Sequence, residues 1–62
     1  MIKSLSSQVR EATKKLTMDQ VTMMMEGIGL EVGDSSLDEL QKYVFFAVIA
    51  GDLHPRDILN AV

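Results

Sequence analysis

Near the start of the chain, Ile2, Leu5, Val9, Ala12 and Leu16 recur at steps of 3, 4, 3 and 4, the spacing that keeps one narrow apolar seam on a helix. A first helix over 4–16 is predicted; two heptads are too few for a coiled coil, so the seam reads as one side of a small core. Next, Thr17 is placed to cap the backbone N–H of Gln20 while Gln20 reaches back, with Leu16 and Val21 as a hydrophobic staple. A second helix over 18–28 follows, with Met18, Val21, Met24, Met25 and Ile28 on one face. The glycines of "EGIGLEVGD" stop it, one of them in the left-handed conformation that ends helices.

The same start signals return twice. In "DSSLDEL", Ser36 is a cap with Glu39 at the third helical position. In "LHPRDI", Pro55 stands at the first position, Asp57 at the third, and Leu53 faces Ile58. Between these signals lie the eight consecutive apolar residues "YVFFAVIA". They are β-prone in isolation, but the cap before them and the unbroken length of the segment predict a third helix over 37–50. A fourth helix covers 55–61, and "GLEVGDSS" is the one real loop. No stretch alternates with period two, and there is no repeat or linker. The pattern predicts an all-α fold: one domain over 1–62, a small bundle of four short helices with the apolar third helix at its centre.

A helical wheel of the third helix raises a question of cover. With Leu37 set at about 0°, Leu40, Val44, Ala47 and Val48 gather within roughly 80°, while Asp38, Lys42 and Asp52 define the polar side. Phe45 and Ile49 fall inside that polar sector, with Phe46 at its edge. Large apolar side chains flanked by charges are how an interface centre is built, so Phe45, Ile49 and Phe46 are the candidate partner-binding residues. The competing expectation is that the first helix folds over this side within the monomer. Met23 joins the candidates: Met24 and Met25 face the core, whereas Met23 points between Asp19 and Gln20, and Met suits adaptable binding surfaces.

From Thr17 onward, three short helices with a Gly-Ile-Gly-Leu turn after the first resemble ubiquitin-associated-type domains in size and order. The Met-Gly-Phe/Tyr turn of those domains is missing. The resemblance implies a three-helix arrangement and no more.

Charge adds a second surface. Residues 1–15 hold Lys3, Arg10, Lys14 and Lys15 against Glu11, a balance of +4 − 1 = +3, while the remainder holds two basic and eight acidic residues, −6. Lys3, Arg10, Lys14 and Lys15 thus form a possible basic contact surface, although cations spread over a helix are more often a solvated face. The chain has 62 residues and no Cys, so disulfide and thiolate-metal staples are excluded, and self-association or a bound partner is the remaining way to stabilise so small a core. "MIKSLSSQVR" has no apolar run after its Lys and reads as no signal peptide. The eight-residue apolar run is far short of the roughly 20 residues that span a bilayer. A cytoplasmic protein without membrane attachment is the expectation.

Candidate chemistry is sparse. "DSSLDEL" lacks the Gly of a calcium loop, whose twelfth position would fall on Phe45. Asp38 and Glu39 are neighbours at a helix start, where negative charge suits the helix dipole. The serines lack a Gly-x-Ser-x-Gly frame, and His54, the single histidine, reads as a helix cap. "GIGLEVG" has neither the Lys of a phosphate loop nor a preceding strand. No enzyme, no metal and no cofactor is therefore expected. The pattern predicts a non-catalytic protein–protein interaction module, a homo-oligomer with a dimer favoured or a small regulator or inhibitor docking on a larger protein. The alternative is a helix-turn-helix-like transcriptional regulator: "AVIAGDLHPRDIL" comes near that motif's spacing, but Ile58 arrives one residue late and Arg56 stands beside Asp57. Nucleic acid would then be met chiefly through the basic first helix.

Overall fold

A computed structural model describes residues 4–62 and contains four helices in chain order. They are α1 (Leu5–Thr13), α2 (Met18–Gly27), α3 (Leu37–Ala50) and α4 (Pro55–Ala61). Among the described residues these are the only regular elements. Ile2 and Lys3 lie outside the described residues.

Each helix starts where a short polar side chain can satisfy a free N–H of the first turn. Ser4 Oγ accepts from the Ser7 amide at 3.2 Å. Thr17 Oγ1 accepts from Gln20 N at 3.3 Å while Gln20 Oε1 accepts from Thr17 N at 2.8 Å, closing the capping box. Ser36 Oγ accepts from Glu39 N at 3.3 Å, and His54 Nδ1 accepts from Arg56 N at 3.0 Å ahead of Pro55. The helix ends are equally local. Gly29, at φ 85°, lets Gly29 N reach Glu26 O and Leu30 N reach Met25 O, both at 3.0 Å. Gly51, at φ 90°, lets Gly51 N reach Val48 O at 3.2 Å and Asp52 N reach Ala47 O at 2.9 Å. Both are the paired bonds that close a helix through a left-handed residue.

α1 is shorter than the periodicity of 4–16 predicts. After Thr13 the chain tightens into three-residue steps, Lys15 N to Ala12 O at 3.0 Å and Leu16 N to Thr13 O at 3.3 Å, so Leu16 enters the core from the turn between α1 and α2.

The core consists of Val9, Ala12 and Leu16 from α1 and its following turn, Val21 and Met25 from α2, Leu40, Val44 and Ala47 from α3, and Ile58 from α4. α3 packs on both α1 and α2, and α4 packs on α1; the apolar third helix is at the centre of a small bundle. Thr13 is the buried polar residue, and its hydroxyl donates to Arg10 O at 2.7 Å, which removes the cost of an unmade bond. Three residues placed on core faces by their spacing, Leu5, Met18 and Leu37, are exposed instead. Each lies in the first turn of its helix, beyond the reach of the neighbouring elements.

A candidate interaction surface on α1 and α3

Where α1 crosses α3, a cleft of about 820 Å³ opens between Arg10, Thr13 and Lys14 on one wall and Asp38, Gln41, Lys42, Phe45 and Phe46 on the other. The periodicity that buries Val9, Ala12 and Thr13 turns Arg10 and Lys14 to the rim; on α3 the residues at i, i+4 and i+8 from Asp38 put Lys42 and Phe46 along the opposite edge. Gln41 joins the walls: its Nε2 donates to Leu16 O at 3.0 Å and to Lys14 O at 3.4 Å, carbonyls of the turn that follows α1.

Phe45 departs from the expectation of a fully exposed side chain. It is half-buried and packed on the core, with the Arg10 guanidinium carbon 5.8 Å from its ring centroid, a cation–π distance. α1 therefore covers one turn of the apolar run, as the competing expectation held, and leaves the next in water. Phe46 is 60% and Ile49 64% exposed. The Phe46 ring centroid lies 6.4 Å from that of Phe45 at 53°, so the half-buried and the exposed ring form one continuous apolar surface, a favoured tilted pair. Ile49, one turn further, is outside the cleft lining but on the same side of α3 as Phe46.

The four cations expected as one basic surface divide. Arg10 and Lys14 reach the cleft, Lys42 joins them from α3, Lys15 is exposed outside the lining, and Lys3 is not among the described residues. The cleft carries three cations and Asp38, +3 − 1 = +2, on a chain of net charge −3. Sequence reasoning missed Lys42 as a partner of the α1 cations because nothing local links residues 10 and 42; only helix packing does.

Met23 lies elsewhere. It is 74% exposed on α2, three residues from Glu26. Glu26 with Thr22, Gly29, Leu30, Glu31, Val32 and Gly33 lines a second, shallower hollow of about 500 Å³ where the α2–α3 loop begins. Its exposed apolar residue is Leu30. Among the described residues no group of three or more His, Asp or Glu side chains is placed to hold a metal ion. None of their helices is long and apolar enough to cross a membrane.

Comparison with protein-family models, with curated proteins and with solved structures finds no match for this chain, and the likeness to ubiquitin-associated-type domains stays one of helix order.

Proposed function

We propose that this protein is a non-catalytic protein–protein interaction module of the cytoplasm, which associates with copies of itself or docks on a larger protein as a small regulator. The observation that carries this reading is the pair Phe46 and Ile49, more than half exposed on successive turns of the central helix. Phe46 shares the cleft with Lys42, Lys14 and Arg10, and Ile49 extends its apolar surface along α3, the composition of an interface centre with a charged rim. α4 offers DNA little: it has seven residues, Ile58 is spent on the core, and Arg56 stands beside Asp57.

Light scattering after size exclusion tests the reading. Wild-type protein at micromolar concentration is expected to exceed the monomer mass, and Ile49→Asp to return it to the monomer with its helicity intact. A wild-type monomer at every concentration, with salt-dependent binding to random duplex DNA, would replace this reading by the nucleic-acid alternative.

A further inference from the structure

The two hollows have opposite chemistry. The α1–α3 cleft sets Arg10, Lys14 and Lys42 around the Phe45–Phe46 surface. The loop hollow sets Glu26 and Glu31 around exposed Leu30, with exposed Met23 three residues before Glu26. An apolar centre flanked by cations on one surface and by carboxylates on the other satisfies both requirements of a specific contact, apolar burial and complementary potential. The two residue sets share no member, so one copy can present both at once.

From this complementarity we infer that the acidic Glu26–Leu30–Glu31 surface of one copy seats in the basic α1–α3 cleft of another. Leu30 meets the exposed ring of Phe46, and the two glutamates meet Lys14 and Lys42. Contacts of this type either close reciprocally as a dimer, each copy giving and receiving, or extend from copy to copy. The inference rests on the reading of the protein as an interaction module and names its occupant.

A second copy is favoured over nucleic acid by the charge of the surroundings. Outside the cleft the chain carries −3 − (+2) = −5, and a strand of phosphates running beyond the cleft would meet that field within a Debye length of about 8–10 Å. A patch with two carboxylates ends before it does.

A charge exchange tests the contact. Lys14→Glu with Lys42→Glu makes the cleft acidic, and Glu26→Lys with Glu31→Lys makes the loop surface basic. Each double variant alone should self-associate at least tenfold more weakly than wild type. An equimolar mixture should recover association to near the wild-type level, because each variant's cleft then faces a loop of opposite sign. Recovery on mixing is a result that an unfolded variant cannot give, and circular dichroism checks each variant separately. Rising salt should weaken wild type and mixture alike. The inference is overturned if the mixture remains as weak as its components, or if either variant associates like wild type. In both cases, loss of association by Ile49→Asp would leave the interaction-module reading standing on α3 alone. A fluorescein-labelled single-stranded oligonucleotide supplies the remaining arm: wild-type binding lost in the Lys14→Glu, Lys42→Glu variant, with no recovery of self-association on mixing, would make the cleft a nucleic-acid groove instead.

Discussion

At the scale of single residues, the two glycines that end α2 and α3 illustrate how the same substitution changes sign with backbone geometry. Gly51 sits at φ 90° with open space where a Cβ would stand, so an added methyl meets no neighbour and the whole cost is the left-handed backbone. Gly51→Ala should therefore destabilise by about 1–2 kcal/mol. Gly27 is the last residue of α2, has no positive φ and also faces open space. There the methyl mainly restricts the unfolded chain, and Gly27→Ala should stabilise by about 0.4–1 kcal/mol. Urea melts of the two variants beside wild type decide the matter; shifts of the same sign would mean that one of the two helix ends is misplaced. Met23 and Met25 form a similar pair. Met25 is buried and Met23 is among the most exposed apolar side chains, so truncation to Ala should cost about 2–5 kcal/mol at the first and almost nothing at the second.

At the scale of elements, the helix starts were legible in the sequence because the chemistry is local. Thr17 and Gln20, Ser36 and Glu39, His54 and Asp57 are each three residues apart, and a cap needs no knowledge of the rest of the fold. The joints between elements were not legible. Gln41 ties down the turn after α1 from 25 residues away, and Gln20, already part of its own cap, donates through Nε2 to Ala61 O at 2.7 Å, 41 residues on. No spacing rule marks such pairs; they exist only once α3 has packed beside α1 and its following turn, and α4 beside α2. The wheel of α3 failed at its N-terminal end for a related reason. α3 has 14 residues against 9 in α1 and 10 in α2, so its neighbours cannot cover both of its ends, and Leu37 stays exposed although it shares a side with buried Leu40 and Val44. The joint at Gln41 has a measurable consequence. Gln41→Ala should cost about 1 kcal/mol, the net worth of one such hydrogen bond. Gln41→Glu should cost more, since a carboxylate cannot donate and would face the carbonyl oxygens of the turn after α1. Guanidinium melts that rank Glu as milder than Ala would show that the amide does not hold that turn. Ser36→Ala gives the local comparison, an N-cap loss of about 0.5–2 kcal/mol.

At the scale of the whole molecule, nine buried apolar residues among those described carry the core, and a core of this size leaves only about 3–5 kcal/mol of net stability. A single truncation at Leu40, buried at the centre of α3, removes about 2–5 kcal/mol and should bring the isolated chain to the edge of unfolding at room temperature. Association of the proposed kind changes that balance, because anything that binds the native state alone stabilises it by mass action. For a native dimer, raising the concentration a hundredfold adds about 2.7 kcal/mol per dimer, half of it per chain. In a domain of this length that corresponds to a rise in midpoint of roughly 5–10 °C. Thermal melts of wild type followed by circular dichroism should show this dependence. Phe46→Asp, placing a charge on the exposed ring position of the proposed contact, should give one midpoint at all concentrations. Phe45→Asp should behave differently, because that ring is packed on the core: its midpoint should fall even at the highest concentration. A concentration-independent wild-type midpoint would mean that the chain folds alone and that Phe46 and Ile49 await a different protein; equal behaviour of the two Phe variants would place both rings on the same side of the core boundary.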